Sequence, residues 1–405
     1  MKKKILVIGI MMNNAGTEKS FLSFAQNLDY SRYSVDLLLA KKEGLFLSLL
    51  PKEINVIEME KYGDLFLMSG KNAVSLVKNT FLKDDPLIPV KLIPDFFSIL
   101  LHPKKKSALA TKMWIKLMRR IPAPENEYDI CLAYWGDRTM FYAVEKVKAK
   151  KKIAWLHFDY RFPPRDDEIY LPYFRACDRI VNVSDSVNEA LKEKLPEIAD
   201  KCVCMENICD PKLIRSLSLC GKSFPDVHFD GLRVLSIIRI CEQKGCDFIV
   251  PILKKLKEKG VNLRWYLVGD GEKALVDRLK SDAVEEGVAD MLILLGPTTN
   301  PYTYLRDCDL YVQPSRYEGK PITVEEAKIL MKPILATEYL SANEQLENGR
   351  LGMVCPISPE GIAEGIEKML ADASLRNAYA DRLAEMQFGN LSEMEKFEEM
   401  IAEKE

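Results

Sequence analysis

The sequence predicts two α/β domains, each built on a doubly wound parallel sheet, and three observations carry that reading. A chain of 405 residues is too long for one ordinary core, since single hydrophobic cores stop growing at roughly 250 residues. Its short apolar runs are rich in Val, Ile and Leu and lack polar alternation, which suits strands buried on both faces. Helical patterns separate those runs, as crossover connections require.

In the second half, residues 233–240, 263–268, 291–295, 309–313, 333–337 and 352–355 read as strands. The first half repeats the rhythm less regularly at 4–10, 34–39, 54–58, 129–134, 152–157, 179–183 and 201–205. The start, Met1 to Lys4 followed by an apolar run to Met12, imitates a signal peptide. However, Asn13 to Lys19 offers no small-x-small cleavage site, and Ser20 to Leu28 continues as a helix. Residues 206–230 hold Pro211, Gly221, Pro225 and Asp226 with little periodicity, so a linker and hinge are placed there. The domains are therefore set at 1–206 and 231–384, joined by 207–230, with a C-terminal helix at about 385–405 that can pack back on the first domain. The tail from Leu375 onward reads as acidic helix, with Glu393, Glu395, Glu398, Glu399, Glu403 and Glu405 on a solvated face.

Composition narrows the function classes. Hydrophobic residues at 47% and charged residues at 29% describe an ordinary globular protein, and 58 Lys+Arg against 60 Asp+Glu argues against a nucleic-acid partner. Ten cysteines without a CxxC pair, and three histidines, leave little material for a zinc site or disulfide scaffold, so reduced thiols in a cytoplasmic protein are expected. No stretch approaches the roughly 18 uncharged apolar residues of a membrane span, because Lys91, Asp95 and prolines interrupt 87–101. Positive charge collects locally. Residues 102–152 carry 13 Lys+Arg against 5 Asp+Glu, and Lys104, Lys105, Lys106, Lys112, Lys116, Arg119 and Arg120 crowd into 102–120 around Trp114 and Met118. A cationic helix with an aromatic and aliphatic side suits the inner face of an anionic membrane as a peripheral contact; the plain alternative packs that side on its own domain.

The most informative stretch runs from Tyr311 to Ala327, a strand entering a glycine loop and then a helix. Pro321 suits the first helical turn, so the amides of Gly319, Lys320, Ile322 and Thr323 are orphan donors at the positive end of a helix dipole, where a phosphate fits. Glu326 lies about 7.5 Å further along the axis, the distance of a ribose diol, while Glu318 faces the other end. The acids Glu325 and Glu326 read equally well as residues that merely favour the helix dipole. Arg239 and Lys244 stand at a predicted strand's carboxyl end, as do Gly269 and Gly271, where ligands of α/β sheets bind.

Glu318 and Glu326, together with Arg239-x4-Lys244-Gly245 and Leu267-Val268-Gly269-Asp270-Gly271, resemble the retaining family 4 glycosyltransferases of bacterial polysaccharide and glycolipid biosynthesis. The first half adds Asn14-Ala15-Gly16-Thr17-Glu18-Lys19, similar to the family's glycine loop with Ala15 in place of its first glycine, and Trp155-Leu156-His157, similar to its strand-end histidine. Ser184 and Asn207 fall where relatives carry similar residues. The resemblance implies a GT-B fold of two facing Rossmann-like domains, one for the acceptor and one for the nucleotide sugar. It also implies transfer of a hexosyl unit, with retention, from a UDP-sugar to a glycan or lipid-linked hydroxyl. His157, Glu318, Arg239 and Lys244 would then act at the reacting sugar. Gly16, Arg239, Lys244, Gly269, Gly271, Glu318, Gly319, Lys320, Pro321, Ile322 and Glu326 would hold the donor, with no metal and no cofactor. The alternative is a catalytically inactive GT-B subunit or membrane-bound scaffold. A nicotinamide-dependent oxidoreductase fits less well, since the first strand lacks a G-x-G-x-x-G turn.

Overall fold

The computed structural model describes residues 2–13, 15–70, 72–83 and 85–402. Asn14 of the first glycine loop, and Glu403 and Glu405 of the tail, lie outside the described residues. Two wholly parallel sheets form the frame. The first holds β1 (Lys3–Gly9), β2 (Tyr33–Leu39), β3 (Ile54–Glu58), β4 (Tyr128–Ala133), β5 (Ala149–Leu156), β6 (Arg179–Asn182) and β7 (Cys202–Cys204), in the order β3-β2-β1-β4-β5-β6-β7. The second holds β8 (Leu232–Ile237), β9 (Leu263–Val268), β10 (Leu292–Gly296), β11 (Leu310–Gln313), β12 (Ile334–Thr337) and β13 (Met353–Cys355), in the order β10-β9-β8-β11-β12-β13. The two domains are thus a Rossmann-like pair.

The order matters for function. Each sheet reverses direction of winding once, between β1 and β4 in the first and between β8 and β11 in the second. Connections leave to opposite faces at such a switch point, which opens a crevice at the strands' carboxyl ends. Both strand pairs are hydrogen-bonded in register, Ile5 to Ile130 and Leu310 to Val234, so each crevice has a rigid floor.

Three local expectations are corrected. Residues 207–230 are not plain linker, because Pro211–Ser218 is a helix. Asp210 Oδ1 accepts from Lys212 N at 2.9 Å and Pro211 stands first in the turn, so the Asp-Pro pair starts a helix where it reads as a loop. The tail is two helices, Ala373–Ala384 and Glu393–Ala402, and the second is no solvated face. Phe397, Met400 and Ile401 enter the first domain's core, Phe397 meets Phe24 at 4.9 Å, Tyr33 OH donates to Glu398 at 2.5 Å, and Glu393 is buried. Finally, the helix Lys106–Met118 turns Met113, Trp114, Ile115, Leu117 and Met118 into the core, where Trp114 Nε1 donates to Leu65 O at 2.7 Å. Its apolar side is spent inside the domain and is not available to lipid.

Candidate functional site

The loops after β8 and β9 bring Arg239 to the second crevice. Gly269 has φ +140°, and a Cβ there would come within 2.0 Å of Ile238 O, so only glycine lets the two loops touch. Ile240 N donates to Asp270 O at 2.8 Å and Ile240 bridges Gly271, which completes the seam. Gly269 and Gly271 therefore fix the loop carrying Arg239. Its side chain is exposed and forms no hydrogen bond or ion pair among the described residues. Its charge nevertheless reaches Glu18 and Tyr317, which places it in the cleft between the domains.

Glu318 and Lys244 are brought together more tightly than spacing suggests. Lys244 Nζ lies 2.6 and 2.7 Å from the two carboxylate oxygens, and Oε1 also accepts from Ser315 Oγ at 2.6 Å and Gln313 Nε2 at 3.0 Å. Four donor contacts on one buried carboxylate leave it no freedom to rotate. The next residue closes the cleft: a Cβ on Gly319 would lie 2.6 Å from His157 O of the other domain, and Ser184 Oγ donates to Gly319 O at 3.3 Å. The helix Ile322–Ile329 follows with Pro321 as its cap residue and no side-chain cap; Val324 N donates to Pro321 O at 3.2 Å, which leaves the amides of Ile322 and Thr323 as uncapped donors at the helix start. Gly16 stands opposite, with room for a Cβ 3.9 Å from Ile322 Cγ2.

Glu326 is 1% exposed. Lys19 of the first domain reaches its Oε1 at 2.5 Å, over the ring of Tyr302, whose hydroxyl donates to the same atom at 3.1 Å. Oε2 is buried with no hydrogen-bond partner among the described residues. A buried acceptor left unmade costs about 1–3 kcal/mol, so this atom is suited to a donor supplied by a ligand.

His157 stands across the cleft at the end of β5, its ring 4.7 Å from that of Tyr134. Burial pushes its imidazole down to about 3. Asn207 and the Tyr134 backbone are near enough to oppose that shift, but neither meets hydrogen-bond geometry, and both ring nitrogens are buried and unpartnered. The imidazole is neutral near pH 7 and can exchange hydrogen bonds with a sugar hydroxyl but is a poor base. Asn207 is itself held by Ser20 Oγ at 2.6 Å, and Ser20 lies 2.7 Å from Tyr134 OH. Beside it, burial raises the Glu18 carboxyl to about 7 against the opposing pull of its own backbone, Trp135 and Arg239.

The Lys320 side chain is committed elsewhere. It lies 2.5 Å from Glu206 and 3.5 Å from Glu344, while Glu344 accepts from Ser186 N at 2.8 Å, so the two carboxylates tie the domains together. Burial opposes the charge on Lys320, but Glu325, Glu206 and Glu344 outweigh it and hold its pKa above the ordinary lysine value. Only its amide is free to meet an anion. Sequence reasoning missed Lys19, Tyr302, Gln313, Ser315, Glu18 and the Glu206–Lys320–Glu344 tie. Gln313, Ser315, Glu18 and Lys19 lie within the motifs already singled out; for Tyr302 no local signal exists. Among the described residues no group of three or more His, Cys, Asp or Glu is placed to hold a metal ion.

The fold has counterparts among known proteins. Residues 228–386 match the family described as glycosyl transferases group 1. The chain is 25% identical over 232 residues to an uncharacterised glycosyltransferase of Methanocaldococcus jannaschii, covering 51% of this chain and 57% of that one. It is 23% identical over 341 residues to an uncharacterised glycosyltransferase of Haemophilus influenzae, covering 81% and 87%. It is also 25% identical over 204 residues to the N-acetylgalactosamine-N,N'-diacetylbacillosaminyl-diphospho-undecaprenol 4-alpha-N-acetylgalactosaminyltransferase of Campylobacter jejuni, covering 50% and 52%. Among solved structures it resembles Anabaena HepE in complex with UDP and glucose, with a TM-score of 0.69 at 15% identity over 100% of both chains. The likeness to that structure and to the lipopolysaccharide glycosyltransferase WaaG (TM-score 0.59, 16% identity, 99% and 100% covered) establishes the fold as GT-B.

Proposed function

We propose that this chain is a retaining glycosyltransferase that moves a hexosyl unit from a UDP-sugar to a hydroxyl of a glycan or lipid-linked acceptor, in the assembly of cell-surface polysaccharide or glycolipid. One observation carries the reading: the uncommitted cation Arg239 and the unpartnered Oε2 of Glu326 share one crevice with the uncapped helix at Ile322. A nucleoside diphosphate offers what each lacks. Ribose hydroxyls would donate to Glu326 Oε2, and the diphosphate would lie between Arg239, Lys244 and the amides of Gly319 to Thr323. The sugar would then lie toward Glu318 and His157, on the first domain's side.

In the reaction the bond from the sugar's anomeric carbon to the donor phosphate breaks and a bond to the acceptor oxygen forms on the same face. The acceptor's proton passes to a donor phosphate oxygen, and UDP leaves. Arg239, Lys244 and the helix amides would stabilise the charge that develops on that diphosphate. UDP as the nucleotide draws support from the HepE complex, and a lipid-linked acceptor from the diphospho-undecaprenol in the name of the Campylobacter relative.

Incubation with a panel of UDP-sugars and a lipid-linked acceptor tests the proposal. The expected result is UDP release with a glycoside whose anomeric configuration, read by NMR, equals that of the donor. Inversion would overturn the mechanism, and no turnover of any donor would leave a non-catalytic subunit.

A further inference from the structure

The helix Ile88–Leu101 is apolar on two opposite faces. Ile88 and Leu92 are buried in the first domain's core, with Phe96 and Ile99 packed beside them. The other side presents Val90, Ile93, Phe97, Leu100 and Leu101, with Leu87 just before the helix, and these six are between 48% and 76% exposed. At about 100° per residue they fall on one stripe roughly 140° wide, where a surface helix ordinarily carries polar residues. Six of the nineteen exposed large apolar side chains of the described residues are gathered in this one stretch. Such side chains scattered singly need no explanation, whereas a contiguous stripe marks an interaction surface.

Charge says what the stripe meets. Lys91 pairs with Asp85, Lys116 with Asp95, Arg119 with Glu145 and Arg120 with Asp85, so those cations are neutralised within the domain. Lys104, Lys105 and Lys106, just past the end of the helix, are exposed and have no salt-bridge partner among the described residues. A second copy of the chain would bring lysines, not acids, to that flank. No helix of the described residues is long and apolar enough to cross a membrane, which leaves contact from one side.

We infer that the stripe from Leu87 to Leu101 docks on an anionic lipid bilayer, its apolar side chains entering the headgroup region while Lys104, Lys105 and Lys106 meet lipid phosphates. The lipid contact thus belongs to this helix and not to Lys106–Met118. The inference deepens the proposed function, resting on it for the lipid-linked acceptor that would bring the protein to a membrane.

Flotation of the full chain with vesicles of phosphatidylcholine, alone or mixed with phosphatidylglycerol and without donor or acceptor, tests it. Wild-type protein is expected to float with the anionic vesicles. Lys104→Gln/Lys105→Gln/Lys106→Gln should bind them about a hundredfold more weakly at low salt, roughly fivefold per lysine. Phe97→Ser/Leu100→Ser/Leu101→Ser should not bind at any salt, with melting temperature and UDP release from UDP-sugars unchanged because the replaced side chains are exposed. Undiminished flotation of the serine variant overturns the inference. So does a wild-type dimer that the serine variant dissociates while vesicle binding is absent throughout. Absent flotation with intact UDP release would remove the docking surface and leave the transferase standing.

Discussion

Glu318→Gln is expected to lower turnover of a UDP-sugar by about 10³-fold and to destabilise the second domain by about 3 kcal/mol. The carboxylate accepts from Lys244, Ser315 and Gln313 at once, and an amide offers one acceptor oxygen in place of two. Lys244 would keep its charge in a position 19% exposed with its counter-ion gone, which sets the destabilisation at the low end of the range for broken buried pairs. On the proposed function turnover would suffer twice, since the group that would face the sugar is altered and the cation that would lie beside the diphosphate is no longer held in place. Urea unfolding and steady-state UDP release measure the two effects. A variant that unfolds like wild type and works within tenfold of it would show that the Lys244–Glu318 pair has neither role.

Arg239→Ala separates chemistry from folding. The side chain is exposed and bonded to nothing among the described residues, so its removal should change stability by no more than about 0.5 kcal/mol. Turnover should nevertheless fall by about 10²–10³-fold, the usual loss when one group that stabilises developing charge is deleted. Arg239→Lys should recover part of the rate, because a point charge replaces a planar fork. Single-turnover UDP release by the two variants, beside their unfolding curves, decides; full activity in the alanine variant would remove Arg239 from the site.

Much of this architecture was legible because buried parallel strands carry their signal locally. Trp265 to Val268 within Leu263–Val268, and Ile334 to Ala336 within Ile334–Thr337, are unbroken buried apolar runs that no surface helix would tolerate. Arg239, Lys244, Glu318 and His157 were proposed from predicted strand ends and the family resemblance, without knowledge of packing. What sequence could not supply was contact across the fold. Lys19 and Glu326 belong to different domains and meet only because the two switch points face one another. The same blindness offered the helix at 106–118 to lipid: an apolar side at 113–118 reads alike whether it meets lipid or, as here, the carbonyl of Leu65 and the ring of Phe66. The acidic tail concealed Phe397 for a similar reason, since one aromatic among glutamates decides where a helix docks only once Phe24 is in place to receive it.

Calorimetric titration of UDP into the wild-type protein and into Glu326→Ala tests most directly whether the cleft is a nucleoside-diphosphate site. One UDP per chain is predicted for the wild type. Affinity should be weaker by about ten- to a hundredfold in the variant, since hydrogen bonds to a charged carboxylate contribute about 1.5–3 kcal/mol. No UDP binding by the wild-type protein, or equal affinity in both proteins, would contradict the assignment of this crevice to the donor.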